Sequence, residues 1–161
     1  MEPPPKIRYE IDLREVPSAP PMPLGAARTI TPGDTDALAA LMLDAYIGTI
    51  DYEGETLTDA VDEVRSYLED EPLTDNSFLV LEDGKPVAAV LLSMVSDFPF
   101  VGYVMTGKHW KGHGLGTAVT NIALSSLLEA GHEKAVLYIT EGNEASEALF
   151  RKLGARAIPD D

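Results

Sequence analysis

Ile7, Tyr9, Ile11 and Leu13 alternate with polar or charged residues, the period-two pattern of a strand buried on one face. Prolines between positions 17 and 23 end it; proline lacks a backbone N–H and fixes φ, so this stretch reads as a PPII-like linker. The short apolar segment 26–30 predicts a second strand. Thr31-Pro32-Gly33-Asp34 sets a capping hydroxyl before a proline at the first helical position, and apolar residues follow at 38, 41, 42 and 45. This predicts a helix to about Tyr46. After an acidic connection from Gly48 to Thr56, the residues Leu57, Ala60, Val61, Val64 and Leu68 recur at helical spacing, predicting a second amphipathic helix that ends near Pro72. Residues 78–81 and 87–95, joined by Glu82-Asp83-Gly84-Lys85, predict a β-hairpin, and residues 98–105 a further strand.

The last third changes to strand, loop, helix, strand, helix. Leu115, Ala118, Val119, Ile122 and Ala123 share a helix face that Gly131 closes, residues 135–139 are a buried strand, and residues 145–153 are a helix stopped by Gly154. No internal repeat is visible. A chain of 161 residues is long enough for one core, read here as an N-terminal strand and linker over residues 1–25 and a single domain over 26–161.

Charge narrows the function classes. With 27 Asp+Glu against 12 Lys+Arg the net charge is −15, which repels a phosphate backbone and anionic lipid; nucleic-acid and membrane partners are not expected. Zero cysteines exclude disulfides, thiolate metal sites and cysteine nucleophiles, and make the cytoplasm the expected location. No apolar run approaches a membrane span, and Met1-Glu2-Pro3-Pro4-Pro5 has neither the basic start nor the apolar centre of a signal peptide. The histidines at 109, 113 and 132 lack metal-ligand spacing, so no metal site is expected.

The stretch that carries chemistry is Trp110-Lys111-Gly112-His113-Gly114-Leu115-Gly116-Thr117, between a predicted strand and a predicted helix. Glycines leave backbone N–H groups unobstructed at the positive end of a helix, where a phosphate or pyrophosphate can sit; a plain glycine-rich connection is the other reading. Gly107 and Gly112 have P-loop spacing, but His113-Gly114 stands where the lysine and hydroxyl should be. The pattern G-x-G-x-G also falls too late in the chain for a dinucleotide fold.

With the order of elements added, the sequence resembles the GNAT superfamily of acyl-CoA-dependent N-acyltransferases. Its pyrophosphate motif, Arg/Gln-x-x-Gly-x-Gly/Ala, is matched by Lys111, Gly114 and Gly116, with lysine for arginine. A second block, Asn followed by small residues and Tyr-x-x-x-Gly-Phe, is matched from Asn143 through Phe150 to Gly154-Ala155. The resemblance implies an α+β (three-layer α/β) fold, a mixed, mostly antiparallel sheet flanked by helices, with splayed central strands. It further implies that the backbone of Gly112, His113, Gly114, Leu115, Gly116 and Thr117 holds the pyrophosphate of acetyl-CoA, the acyl-donor co-substrate. Val104, Met105 and Thr106 would pair with the pantetheine arm, and Asn143 would contact it. Lys111 would offer phosphate a point charge and not a fork.

Two departures stand out. Phe150 takes the position of a family tyrosine whose hydroxyl protonates the departing thiolate; Tyr138 and Tyr103 are candidate substitutes. Little chain remains for the family's final two strands, so residues 7–13 are expected to fill a sheet edge, in the same chain or across a homodimer. An amine near pKa 10.4 needs a proton acceptor at neutral pH. The candidate bases are Asp97, then Glu141, then Glu53 and Glu55; His109 is a further one. The expected activity is transfer of an acetyl group to a primary amine by direct attack through a tetrahedral intermediate. The acidic connection favours a cationic acceptor: a polyamine, an aminoglycoside-like amine or a lysine side chain. The alternative is a catalytically weak acyl-CoA sensor or partner module.

Overall fold

The computed structural model describes residues 4–18 and 20–158. Its strands are β1 (Lys6–Asp12), β2 (Ala26–Thr29), β3 (Phe78–Glu82), β4 (Lys85–Val95), β5 (Phe98–Thr106), β6 (Lys134–Thr140) and β7 (Arg156–Ala157). Its helices are α1 (Thr35–Tyr46), α2 (Leu57–Glu69), α3 (Leu115–Glu129) and α4 (Glu144–Lys152). One seven-stranded sheet runs β2-β3-β4-β5-β6-β1-β7. Every pairing is antiparallel except β5 with β6.

The apolar run at residues 87–92 has no polar alternation because β4 is covered on both faces. Ala88, Val90 and Leu92 pack with Leu115, Val119, Leu124 and Phe150 of α3 and α4. Ala89 and Leu91 pack with Leu38, Met42, Val64 and Tyr67 of α1 and α2. Alternate side chains of one strand thus feed two cores, and the result is the expected helix–sheet–helix sandwich with a mixed sheet. Among the described residues, no helix is long and apolar enough to cross a membrane.

The N-terminal strand departs from the expected placement. β1 pairs with β6 of the same chain over its whole length, from Lys6 opposite Thr140 to Asp12 opposite Lys134. It is not the edge: the two-residue β7 lies outside it, with Tyr9 opposite Ala157. Tyr9, Ile11 and Leu13 are buried. The chain then crosses the outer side of α3, where Asn121 Nδ2 donates to the Pro17 carbonyl at 3.0 Å and Val16, Met22 and Leu24 join the core. This cover explains why α3 buries nine residues, more than one amphipathic stripe needs.

Two polar devices fix the α1–α2 side. Ser77 extends the β3–β4 ladder with its side chain. The Leu92 amide donates to Ser77 Oγ at 2.8 Å, Ser77 donates to the Leu73 carbonyl at 2.7 Å, and Tyr67 donates to the Leu92 carbonyl at 2.6 Å. Burial pushes the Tyr67 phenol up to about 12, against hydrogen bonds with Ser77 and Leu92 that lower it. Ser77→Ala leaves the buried Leu92 amide without an acceptor and is expected to cost about 2 kcal/mol in urea unfolding; a loss within experimental error would mean that the amide finds another partner.

The other device precedes α1. Arg28 grips Asp34 with bonds of 2.9 and 2.8 Å, and the Thr31 amide adds a third at 2.8 Å. The Arg28 hydrogen bonds hold the Asp34 carboxyl below its ordinary value, opposed by burial and aided by Thr31. A carboxyl depressed in the fold contributes stability above its unfolded pKa of about 3.9, and that stability is lost as pH falls through the folded value. Acid unfolding below about pH 4 should therefore be shallower in Asp34→Asn than in the wild type. Equal slopes in pH-dependent thermal melts would contradict this.

Candidate active site

β5 and β6 meet at one register pair, Phe100 opposite Val136. Beyond it they part, and a cleft of about 820 Å³ lies over and between them. Its lining comes from both layers. Tyr103, Tyr138 and Thr140 belong to the α1–α2 side, while Val104, Leu137 and Phe150 belong to the core under α3 and α4. The opening therefore passes through the sheet. One edge of β5 is left without a strand partner there, with amides and carbonyls free to receive an extended ligand.

The glycine loop lies between the end of β5 and α3. Gly114 is the N-cap of α3, left-handed at φ +81°, and carries no capping side chain. The first intrahelical bond runs from Ala118 N–H to the Gly114 carbonyl, 3.0 Å. The amides of Leu115, Gly116 and Thr117 consequently have no acceptor within the helix and sit at its positive end. Gly116 serves close approach: a Cβ there would meet Leu149 Cδ1 at 3.1 Å and Thr106 Oγ1 at 3.2 Å. Gly112, His113 and Gly114 are exposed. Free backbone donors at the amino end of a helix, following an exposed glycine turn, fit a pyrophosphate.

Lys111 is directed elsewhere. Its ammonium donates to the Ala45 carbonyl at 2.7 Å, at the negative end of α1. The Lys108 amide donates to Asp44 at 2.8 Å. These two bonds clamp the loop to α1, so the lysine that stands for the family's arginine shapes the loop through its stem.

The other flank of the cleft is the connection between α1 and α2 together with one side of α2. Asp51 accepts from Thr140 Oγ1 at 2.8 Å and from Asn143 Nδ2 at 3.0 Å. Asn143 also caps α4, accepting the Ser146 amide at 3.2 Å. The acidic connection is thus tied across the mouth to the end of β6. Glu53, Glu55, Asp59, Glu63 and Asp70 line the same flank, and Lys6 is the one Lys or Arg among the described lining residues. Tyr103 donates its phenol hydrogen to the Glu63 carboxylate, and its ring meets Tyr67 edge-on at 6.4 Å. Burial drives the Tyr103 phenol well above its ordinary value, with the Glu63 bond and charge adding to the rise. Tyr46 is driven up by burial and then by the Asp51 and Glu63 charges.

The sequence-derived candidates divide in space. Val104, Asn143, Tyr138 and Phe150 line the cleft; Tyr138 is 51% exposed and leans on Phe100 at 6.0 Å. Met105 is buried in the core under α1 and α2, and Thr106 lies beside Gly116. Asp97 is not brought to this cleft. It occupies the β4–β5 turn beside a separate depression with His132, Lys134 and Arg156. Glu141 is exposed beyond β6, its amide bonded to the Pro5 carbonyl at 2.8 Å. His109 is exposed in the turn before the loop. Glu63 and Asp51 were absent from the candidates by role. The row Asp59, Glu63, Tyr67, Asp70 marks one line along α2 at helical spacing, but spacing alone does not say which strand that line faces.

The profile of the Acetyltransferase (GNAT) family matches residues 39–155. No curated protein sequence matches the chain. Among solved structures, a GCN5-related N-acetyltransferase from Sphaerobacter thermophilus superposes with TM-score 0.76 at 22% identity, over 96% of this chain and 49% of that one. This chain therefore spans about half the length of that neighbour. The ribosomal-protein-S18-alanine N-acetyltransferase of Escherichia coli gives 0.67 at 18% identity, over 81% and 77% of the two chains. The PaiA N-acetyltransferase of Thermoplasma acidophilum, solved with coenzyme A, gives 0.62 at 14% identity, over 79% and 86%. At these identities the likeness concerns the fold, and the family profile adds the assignment: the chain belongs to the GNAT acetyltransferase family.

Proposed function

We propose that the protein is an N-acetyltransferase that moves the acetyl group of acetyl-CoA to a primary, cationic amine by direct attack. The observation that carries this reading is the gap between β5 and β6, which opens through the sheet between a cradle of free helix amides and a carboxylate-lined flank. A polyanionic donor suits the first and a cation the second. The free edge of β5 supplies backbone donors for the pantetheine and for the thioester carbonyl, where negative charge develops. With no cysteine in the chain, no thiol acyl-enzyme can form, which accords with direct transfer between two substrates bound together.

The test is release of CoA thiol from acetyl-CoA with a panel of primary amines: spermidine, an aminoglycoside, a lysine amide, a peptide with a free N-terminus and an anionic amino acid. Turnover is expected with cationic members, with a KM that rises with ionic strength because exposed carboxylates are screened. Acetyl-CoA binding without thiol release on any amine would favour the sensor reading, which is supported by Phe150, 5% exposed at the cleft and without a hydroxyl, and by the lack of an obvious base in the sequence.

A further inference from the structure

We infer that Glu63 and Tyr103 form a single proton-handling pair, in which Glu63 takes a proton from the acceptor ammonium and Tyr103 delivers one to the departing CoA sulfur. This rests on the acyl-transfer reading and assigns its acid–base chemistry to two residues of the cleft. The chemistry demands both roles. An ammonium near pKa 10.4 is inert as a nucleophile until it loses a proton, and Phe150 has none to give the thiolate.

Among the described lining residues, three of the five other carboxylates are engaged within their own segment or by the strand end, and Glu53 is exposed on the connection. Asp51 is held by Thr140 and Asn143, Glu55 accepts the Glu53 amide at 2.9 Å, and Asp59 accepts the Thr56 amide at 2.9 Å in the capping box of α2. Asp70 is the C-cap residue at the far end of α2. Glu63 differs: its partner is a hydroxyl on β5, the strand whose free edge borders the opening. It sits one helical turn beyond Asp59 and one before Tyr67, with Tyr46 facing it from α1 and the cleft between it and Tyr138 on β6. Among the described residues, Lys6 is the only Lys or Arg lining this space, so the incoming ammonium meets little fixed positive charge there.

A phenol donates one hydrogen bond at a time. While Glu63 is ionised, the Tyr103 hydrogen points at the carboxylate. Once Glu63 accepts a proton from the ammonium, its new hydroxyl can donate to the phenol oxygen, and the phenol hydrogen turns into the cleft. The freed amine attacks the thioester carbon, the C–S bond breaks, and the sulfur takes the phenol proton as Glu63 returns its own to Tyr103. Of the ammonium's three protons, one stays on the amide, one reaches CoA through the pair and one leaves to solvent; both residues end as they began. Burial keeps the Tyr103 phenol protonated through the physiological range, as a donor of this kind must be.

The test uses Glu63→Gln and Tyr103→Phe in the full chain, assayed with acetyl-CoA and the best amine of the panel, alongside calorimetry of acetyl-CoA binding. Glu63→Gln should lower kcat about 100- to 1,000-fold at pH 7 with acetyl-CoA affinity within twofold. Its deficit should shrink as pH rises toward the amine's own pKa, where solvent removes the proton. Tyr103→Phe should also lower kcat at constant affinity, and the double variant should be no worse than the poorer single, as for groups acting as a unit. A Glu63→Gln enzyme within threefold of wild type, or a deficit independent of pH, would overturn the pair while leaving acyl transfer intact. A wild-type protein that binds acetyl-CoA and acetylates no amine would overturn both.

Discussion

A carboxylate placed at Gly114 is expected to abolish acyl-CoA binding, raising Kd at least 100-fold, or by about 2.7 kcal/mol. A Cβ at this position would lie 3.7 Å from Pro23 Cγ, an ordinary contact, so the fold has room for it. The backbone is left-handed at φ +81°, a conformation that Asp and Asn tolerate better than other residues with a Cβ. What aspartate changes is charge. A carboxylate within about 5 Å of a pyrophosphate costs several kcal/mol at the dielectric of a protein surface. Gly114→Asn has the same shape without the charge and should lose far less affinity. Calorimetry of both variants, with thermal melts as a control on folding, checks this; equal weakening by Asp and Asn would show that charge at this loop is not what binds the donor. Gly116→Asp is a poorer probe, because contacts of 3.1 and 3.2 Å to Leu149 and Thr106 would move α3 as well.

Deleting residues 1–13 is expected to leave no cooperative fold. β1 is internal to the sheet, and Tyr9, Ile11 and Leu13 are 5%, 0% and 2% exposed. Burial of side chains of this size contributes about 1.5–3 kcal/mol each, which for three of them rivals the 5–15 kcal/mol of a typical domain. The deletion also bares all of β6 as a seven-residue unpaired edge, an invitation to aggregation. Circular dichroism through a thermal ramp should show no sigmoidal transition. A truncated chain that melts cooperatively within a few degrees of the full one would contradict the placement of β1.

How far these features were legible follows from the range of the interactions behind them. The Asp83-Gly84 hairpin, the start of α1 after Pro32 and the glycine loop before Leu115 are set by neighbours in sequence, and their signals stood in the sequence. The partner of β1 was not legible: it lies more than 120 residues away, and the alternation of Ile7, Tyr9, Ile11 and Leu13 shows one buried face without naming the strand beside it. A hint was present in α3, whose buried Asn121 and Thr120 widen its apolar face beyond one stripe, as a helix covered on two sides requires. Likewise β7, two residues long, is shorter than any periodic signal.

The site was legible in the same measure. Glycines constrain backbone, so the place of the loop at the start of α3, with its free first-turn amides, was legible from spacing. The direction of Lys111 was not legible because a long side chain can reach several ways; here its ammonium donates to the Ala45 carbonyl. Asp97 adjoins β5 in sequence but stands at the opposite end of that strand from the glycine loop. Glu63 is 40 residues from Tyr103, a contact that exists only once α2 lies over the sheet.

The donor is expected to thread the opening between β5 and β6 with its pyrophosphate on the amino end of α3. A crystal structure with acetyl-CoA tests it most directly. Pyrophosphate oxygens should lie within hydrogen-bond distance of the Leu115, Gly116 and Thr117 amides, pantetheine along the free edge of β5, and the acetyl group facing the Glu63–Tyr103 side. Acetyl-CoA bound outside this opening, or failing to bind at millimolar concentration, would contradict it.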